Sequence, residues 1–421
     1  MIEAKVAQPK PFNIPKRTVW EAFKQVKGNR GTGGSDEQSI SEFEENLAGN
    51  LYTLWNRMSS GSYFPKPVKA VSIPKKNGGE RILGIPTVCD RIAQMVVKQT
   101  IEVNIDQIFH NDSYGYRPGK SAIQAVGVVR ERCWKYNWVL EFDIRGLFDN
   151  IDHQLLMKAV RHHVKEKWVI LYIERWIKAP MIDRDGKEIA RNRGVPQGGV
   201  ISPLLANLFL HYAFDRWMSK HYPGIPIVRY ADDGVSHCRT KEEALQLLKA
   251  LKERFLEVGL ELHEGKTRVV YCKDDDRKGK DEENTSFDFL GFTFRPRRSK
   301  NWRGKFFINF TPGASRKACK AMRDTTRRWK LRMRSDKSLQ ELAKMYNPVV
   351  RGWINYYGKY YKSAIYDVLK HLNSTLEKWA CRTLKRFKRH RCQARHWLGR
   401  IAKQKPNLFA HWHLVRPEVG G

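Results

Sequence analysis

Three aspartates carry the clearest chemical signal in this chain of 421 residues. Asp232 and Asp233 end a Tyr-Ala-Asp-Asp segment, whose apolar flanks predict a tight hairpin over 227–236. Asp143 lies in a second apolar, β-prone segment, 138–144. Buried carboxylates repel one another unless a cation compensates them, and oxygen ligands suit Mg²⁺. The pattern predicts a two-Mg²⁺ site for attack of a 3′-hydroxyl with loss of pyrophosphate. The alternative is a solvated turn at Asp232 and Asp233.

Charge is distributed unevenly along the sequence. The formal net charge is +34, which indicates a polyanionic partner, most commonly nucleic acid. Residues 291–421 hold 33 lysines and arginines against 6 aspartates and glutamates, whereas residues 1–290 hold 45 against 38. We therefore expect a nearly balanced catalytic region followed by a cationic binding region.

Aromatic residues are interleaved with the basic residues of the cationic region. Arginine pairs with phosphates and aromatic faces stack on unpaired bases, so the region is expected to bind the phosphates of a nucleic acid. The aromatic residues between 353 and 360 fall at helical spacing, which favours burial of their rings. The candidate RNA-binding residues are Arg316, Arg327, Arg328, Lys330 and Arg351.

Several classes of protein are disfavoured. The seven cysteines include no C-x-x-C pair, so neither a zinc site nor a disulfide framework is predicted, and structural thiols in a reducing compartment are expected. No apolar run is as long as a membrane helix, and the first 15 residues lack the apolar core of a signal peptide. We expect no membrane partner.

The apolar periodicity predicts both helices and strands, an α+β arrangement. A hairpin is expected over 61–85, and strands are expected over 138–144, 269–272 and 287–294. From Pro312 onward the pattern is helical. The other expected helices lie within 16–60, over 90–109, 121–135, 152–178 and 241–259, and after Ser202-Pro203.

Taken together, the ordered motifs resemble the reverse transcriptases encoded by bacterial group II introns. Phe142-Asp143-Ile144 and the Tyr-Ala-Asp-Asp hairpin resemble the palm of these enzymes, and Arg351–Tyr357 is typical of a maturase thumb. The resemblance covers roughly residues 16–385. The remaining motifs are Ile73-Pro74-Lys75 with Arg81, Ser113–Pro118, Phe148-Asp149, Pro196–Gly199 with Ser202-Pro203, Gly265–Thr267 and Phe289–Phe292.

The resemblance implies a right-hand polymerase with an antiparallel palm sheet. Fingers and palm would occupy 1–300, with the palm mainly over 136–155 and 195–300. A helical maturase or thumb domain would occupy 301–385. Residues 386–421 would form a short basic tail, a possible DNA-binding segment. The missing C-x-x-C pairs agree with family members that lack the carboxy-terminal endonuclease.

The resemblance also implies catalytic roles. Asp143 and Asp232 would bridge two Mg²⁺ ions, Asp233 would complete the acidic cluster, and the Ile144 carbonyl would be a further ligand. Lys266 would protonate the leaving pyrophosphate as general acid, or only contact a phosphate.

Four residues are implied to bind substrate. Lys75 and Arg81, on the two arms of the predicted hairpin, would clamp the incoming triphosphate, unless they are ordinary solvated charges. Gln197 would approach the nucleotide or template, or belong to a plain turn before a helix. Phe148 would exclude a ribose 2′-hydroxyl and so favour dNTPs, or only pack in the core.

The implied function is an RNA-directed DNA polymerase that binds its group II intron RNA as a ribonucleoprotein and assists splicing and mobility. Its partners would be that RNA, an RNA template with a DNA primer, dNTPs and target DNA, in the bacterial cytoplasm. Two alternatives are a reverse transcriptase domesticated for defence, repair or diversification, and an RNA-binding maturase without polymerase activity. Phe148 disfavours an RNA-dependent RNA polymerase.

Overall fold

A computed structural model describes residues 10–74, 80–277 and 284–418. The chain forms two compact units, each built from three separate stretches of sequence. The first unit comprises Met1–Ser121, Phe142–Ser236 and Leu245–Thr267. The second unit comprises Ala122–Glu141, His237–Ala244 and Arg268–Gly421.

Helices account for most of the regular structure in both units. The helices are α1 (Lys16–Gly28), α2 (Ile40–Glu45), α3 (Leu47–Ser60), α4 (Val88–Asp106), α5 (Ala122–Cys133), α6 (Leu147–Asn150), α7 (His153–His163), α8 (Lys167–Lys178), α9 (Ser202–Leu210), α10 (Arg216–His221), α11 (Lys241–Glu257), α12 (Arg316–Arg328), α13 (Leu339–Tyr357), α14 (Tyr366–Thr383) and α15 (Arg391–Gln404). The strands are β1 (Val68–Pro74), β2 (Glu80–Ile85), β3 (Trp138–Asp143), β4 (Met181–Ile182), β5 (Glu188–Ile189), β6 (Ile227–Tyr230), β7 (Asp233–Cys238), β8 (Arg268–Tyr271), β9 (Phe287–Phe289), β10 (Phe292–Lys300) and β11 (Phe306–Ala314).

The first unit contains a sheet with the strand order β2-β1-β4-β5. Strands β1 and β2 are antiparallel, with Ile73 opposite Arg81, so the hairpin predicted over 61–85 is confirmed. Residues 75–79 at its tip, including Lys75, lie outside the described residues.

The second four-stranded sheet has the order β6-β7-β3-β8. Strand β6 is antiparallel to β7, and β3 is antiparallel to β8, which confirms the strands predicted near 138–144, 227–236 and 269–272. In the first unit, the ring of Phe142 lies 5.1 Å from that of Phe214 and 6.2 Å from that of Phe255. A Cβ atom on Gly234 would lie 2.1 Å from the Phe142 ring, so this packing requires glycine in β7.

The second unit begins its helices later than the sequence predicts. The expectation of helix from Pro312, and of a helical domain from 301, is wrong because β11 runs to Ala314. Strand β11 pairs with β10 from Phe292–Ala314 to Lys300–Phe306, and this antiparallel pairing, which the local sequence pattern does not reveal, holds residues 312–314 in a strand. Helix α12 then begins at Arg316, after Ser315 caps it by accepting from Ala318 N.

Residues 386–418, the segment predicted as a short basic tail, are folded. Ala394, Leu398 and Ala402 recur every four residues along α15 and are all buried. Phe409 and Trp412 are buried in the same apolar core as residues of α12, α13 and α14. The α15 helix agrees with the helical pattern predicted from Pro312 onward.

Among the described residues, no helix has both the length and the apolar character needed to cross a membrane.

Candidate active site

The acidic hairpin ends in a two-residue turn. Tyr230 of β6 pairs with Asp233 of β7, which leaves Ala231 and Asp232 at the tip. Ala231 has φ +56°, a left-handed conformation that an alanine adopts only when its surroundings hold it there. The Ile144 N–H donates to the Asp232 carbonyl at 3.3 Å, which brings the turn beside the end of β3 and Asp143.

The three carboxylates interact electrostatically. Burial, and then the charges of Asp232 and Asp143, raise the pKa of Asp233 to about 8. Burial and then the Asp143 charge also raise the pKa of Asp232. Near neutral pH the cluster therefore retains a proton unless a cation is supplied.

Lys266 supplies one positive charge to the cluster. Its Nζ donates to Asp143 Oδ2 at 2.6 Å, from a short 3₁₀ helix over Glu264–Lys266. Burial lowers the pKa of Lys266, but the hydrogen bond and charge of Asp143, with the charges of Asp233 and Asp232, outweigh burial and raise it. The His263 N–H donates to the Asp143 carbonyl at 2.8 Å, so the end of β3 also positions the Lys266 turn.

The donor set fits a hard divalent cation by its chemistry. Asp143, Asp232 and Asp233 offer only oxygen atoms, and their mutual repulsion is the feature that a dication relieves. Within residues 10–74, 80–277 and 284–418, no three His, Cys, Asp or Glu side chains are already arranged as metal ligands. Asp143 Oδ2 instead accepts a hydrogen bond from the Lys266 ammonium.

Two of the predicted substrate residues contact each other. Arg81 Nε donates to Gln197 Oε1, and the Gly84 N–H donates to the Gln197 carbonyl at 2.8 Å. Gly198 has φ +128°, and a Cβ atom there would lie 2.6 Å from the Gly84 carbonyl oxygen, so the loop requires glycine at this position. The β1–β2 hairpin and the Gln197 loop therefore form one structure.

Phe148 lies in the short helix α6, and its side chain is buried. Its carbonyl accepts from the Val195 N–H at 2.7 Å, which ties α6 to the segment that precedes Gln197. The burial of the Phe148 side chain agrees with the alternative role, packing in the core. The role of Phe148 in sugar selection stays a prediction, as does the role of the Ile144 carbonyl.

A buried ion pair beneath the hairpin is the part of the site that sequence reasoning missed. Arg229 Nε and Nη2 donate to the two carboxylate oxygens of Asp215 at 2.9 and 2.6 Å, and both side chains are 1% exposed. Arg229 Nη1 also donates to Asn207 Oδ1 at 3.0 Å and to the Ala231 carbonyl at 3.2 Å. An arginine in the middle of an otherwise apolar strand is the signal that could have revealed this network.

The Ser113–Pro118 motif supports the same turn. The Tyr114 N–H donates to the Arg229 carbonyl at 2.8 Å, and Asn207 Nδ2 donates to the Gly115 carbonyl at 2.7 Å. A Cβ atom on Gly115 would lie 2.4 Å from the Ala231 nitrogen, so only glycine allows this approach. The motif therefore packs directly against the acidic turn.

The predicted RNA-binding residues all lie in the second unit and are exposed. Three lie on α12, one follows it and one lies on α13. The aromatic residues near them are structural: the Trp329 ring stacks 4.3 Å from Tyr346 and 5.5 Å from Trp353. Tyr356 Oη and Tyr360 Oη donate to backbone carbonyls. The residues concerned are Arg316, Arg327, Arg328, Lys330 and Arg351.

Residues 73–294 match the family model of reverse transcriptases, which are RNA-dependent DNA polymerases. The chain belongs to the reverse transcriptase family. Residues 319–397 match the maturase-specific domain of group II introns, which confirms the predicted resemblance. The match to this reverse transcriptase family also confirms the predicted fold class and the predicted polymerase activity. Reverse transcriptases of this family generally use divalent metal ions.

Relatives of this reverse transcriptase include YkfC of Escherichia coli, which is 31% identical over 66% of this chain and 81% of YkfC. The group II intron-encoded protein LtrA of Lactococcus lactis subsp. cremoris is 26% identical over 66% of this chain and 55% of LtrA. The chain thus spans just over half the length of LtrA. A telomerase structure from Candida albicans, in complex with a TWJ fragment of telomeric RNA, aligns with a TM-score of 0.48 at 12% identity, over 90% of this chain and 69% of that chain.

Proposed function

We propose that this reverse transcriptase extends a DNA primer on an RNA template with dNTPs, and that it binds a group II intron RNA to assist splicing and mobility. The observation that carries the proposal is the convergence of Asp143, Asp232 and Asp233 at the end of β3 and the tip of the β6–β7 hairpin. Three interacting carboxylates are the donor set expected for metal-assisted nucleotidyl transfer.

Asp143 and Asp232 would hold two Mg²⁺ ions, with Asp233 and the Ile144 carbonyl beside them. When bound, the ions would supply the positive charge that favours an attacking 3′-oxygen and a leaving pyrophosphate. The chain's own contribution is to keep these oxygens in one place, through β3 and the Arg229 network. A site positioned in advance does not have to reorganise as charge develops.

Arg81, Lys75 and Gln197 would bind the incoming nucleotide. The Arg81 guanidinium donates to Gln197 through Nε, and with the described residues its two terminal nitrogens make no hydrogen bond, so they could contact a triphosphate. The contact of the Lys266 ammonium with Asp143, beside the proposed metal ligands, supports a role in which it gives a proton to the leaving pyrophosphate. It would act there as general acid.

Exposed basic residues of the second unit would bind the intron RNA. Guanidinium groups on α12 and α13 present charge to solvent over a core that other residues fill, an arrangement suited to phosphate contacts. The protein would work as a ribonucleoprotein in the bacterial cytoplasm. Contact with target DNA would use the same kind of surface.

The decisive experiment is primer extension on an RNA template with dNTPs and Mg²⁺. Asp232→Ala should abolish extension, by about a thousandfold or more, because several kcal/mol of charge stabilisation are lost. The matched control is Asp185→Ala, which removes an exposed carboxylate in the β4–β5 turn and should extend normally. Normal extension by Asp232→Ala would contradict the proposal.

RNA binding should survive in Asp232→Ala, since this carboxylate is not expected to bind phosphate. A gel-shift titration with a group II intron RNA measures this separately. RNA binding by the wild-type chain without Mg²⁺-dependent extension would favour a maturase that lacks polymerase activity. Splicing of that RNA in the presence of the protein tests the maturase function.

A further inference from the structure

The β10–β11 hairpin of the second unit has a buried base and an exposed outer part. At its base, Phe292, Phe294 and Phe310 are fully buried, whereas exposure rises along both strands toward the turn over 301–305. Lys300 lies six positions beyond Phe294, and at about 3.3 Å per residue this gives a reach of roughly 20 Å. We call residues 295–309 the hairpin arm.

The arm combines exposed rings with a concentration of positive charge. Trp302 is 87% exposed and Phe306 is 52% exposed. Arg303 Cζ lies 4.5 Å from the centre of the Trp302 ring, and Arg298 Cζ lies 3.9 Å from the centre of the Phe306 ring. The arm contains six lysines and arginines and no aspartate or glutamate.

The free edge of β11 is partly occupied, which argues against strand addition by another protein. The Ile308 N–H donates to Asp275 Oδ2 at 2.7 Å, and the Asp275 N–H donates to the Ile308 carbonyl at 3.3 Å. Backbone groups at this point are therefore already paired. What the arm offers is side chains: flat aromatic faces, guanidinium planes and a shallow groove of about 360 Å³ beside Pro296 and Phe306.

We propose that the hairpin arm is a binding site for unpaired RNA. Bases would stack on Trp302 and Phe306, and successive phosphates would pair with Arg298, Arg303 and Lys305. Planar rings and guanidinium groups stack on unpaired bases, which a duplex does not expose. A lipid surface is the competing partner for aromatic and basic residues, but the arm's tip, Asn301-Trp302-Arg303-Gly304, contains a single apolar side chain.

This inference deepens the proposed RNA-binding function and is independent of the polymerase site. The test compares three probes on the full chain: a short single-stranded RNA, a perfect RNA duplex of the same length, and vesicles of anionic phospholipid. The double variant Trp302→Ala with Phe306→Ala should weaken binding of the single strand about tenfold or more, because stacking on two rings is lost. Its affinity for the duplex should not change.

Two further variants test whether the effect depends on aromatic rings and on their location in the arm. Trp302→Phe with Phe306→Tyr keeps both aromatic faces and should restore most of the single-strand affinity. Phe64→Ala is the matched control, since Phe64 is 68% exposed with Arg175 Cζ 3.8 Å over its ring, yet lies in the first unit. It should bind single-stranded RNA like the wild type.

The outcomes separate this inference from the polymerase proposal. Arm variants should extend a preformed short primer–template like the wild type, whereas Asp232→Ala should lose extension and keep its single-strand affinity. Unchanged single-strand binding by the double alanine variant would overturn the inference. Loss of vesicle binding instead of RNA binding would also overturn it. A 4-thiouridine-labelled strand should form crosslinks that map to residues 301–307.

Discussion

The charged residues on which the proposed functions of the two units depend lie in opposite environments. In the first unit, Arg229 and Asp215 are each 1% exposed and form an ion pair with each other. Arg229 also donates a hydrogen bond to the Ala231 carbonyl in the acidic turn. In the second, Arg316 and Arg351 are exposed and their charges face solvent. A buried charge with several fixed partners sets a geometry, whereas exposed charges attract a polyanion without requiring one geometry. This difference supports the proposal that the first unit carries the chemistry and the second contacts RNA.

The largest expected effect comes from breaking the buried pair. Arg229→Met leaves the Asp215 carboxylate buried without its partner, which should cost about 3–5 kcal/mol of unfolding free energy. It also removes the donor to the Ala231 carbonyl, so primer extension by the folded fraction should fall sharply. Denaturant unfolding followed by extension assays below the transition measures both.

A double variant separates stability from positioning. Arg229→Met with Asp215→Leu removes both charges and should recover most of the lost stability, because no unpaired charge stays buried. Extension should remain impaired, since nothing replaces the hydrogen bond to Ala231. Recovery of extension together with stability would show that the pair does not position the acidic turn.

The next effect concerns sugar selection in the first unit. If Phe148 excludes a 2′-hydroxyl, Phe148→Val should narrow the preference for dNTPs over rNTPs by about 1–3 kcal/mol, roughly 10- to 200-fold. Competing single-nucleotide incorporation measures this ratio. An unchanged ratio with lowered stability would assign Phe148 to core packing alone.

Each unit also contains a buried histidine, and we expect acid to lower the folding stability of both units. Burial lowers the pKa of His411 in the second unit to about 3 and that of His211 in the first to about 4, below the ordinary 6.5. Protonation therefore favours the unfolded state, and stability present above pH 6.5 is lost as the pH falls. One pH unit below 6.5, each histidine should cost about 1.4 kcal/mol.

Substitution of each histidine tests whether it causes the acid sensitivity of its unit. His411→Gln keeps an amide donor near Asn373 Oδ1, which His411 Nε2 contacts at 2.7 Å, and should flatten the pH dependence of melting for the second unit. His211→Gln should do the same for the first unit. Unfolding followed between pH 7 and 5 tests both, and an unchanged pH dependence in His411→Gln would contradict this assignment.

The smallest effects are expected from single basic residues of the second unit. Arg351→Gln or Arg316→Gln should weaken RNA binding only about two- to fourfold and reduce the slope of log affinity against log salt by about 1. Asp324 pairs with Arg327 at 2.6 Å, so Arg327→Gln should have less effect than either. Binding titrations at several salt concentrations check this order, and a steep loss from one substitution would indicate a fixed contact.

The pattern of apolar and turn residues predicted secondary structure correctly where that structure depends on residues close together in the chain. The β1–β2 and β6–β7 hairpins follow from apolar strands around turn residues, and both were predicted. The hairpin arm was not predicted, because its basic residues mask a strand pairing whose partner lies across a turn. Helix α15 lies within the region predicted to be helical from Pro312 onward, but its burial depends on packing against distant helices.

The sequence by itself determined the chemistry available to this protein: three aspartates, a lysine, and an excess of positive charge in its last third. Those are properties of residue types, order and count, which folding does not alter. Only the tertiary structure decided that Lys266 lies against Asp143, that Arg81 contacts Gln197 and that Arg229 holds the acidic turn from beneath. Such contacts join residues far apart in the chain, and their partners are selected by packing and burial that no local pattern records.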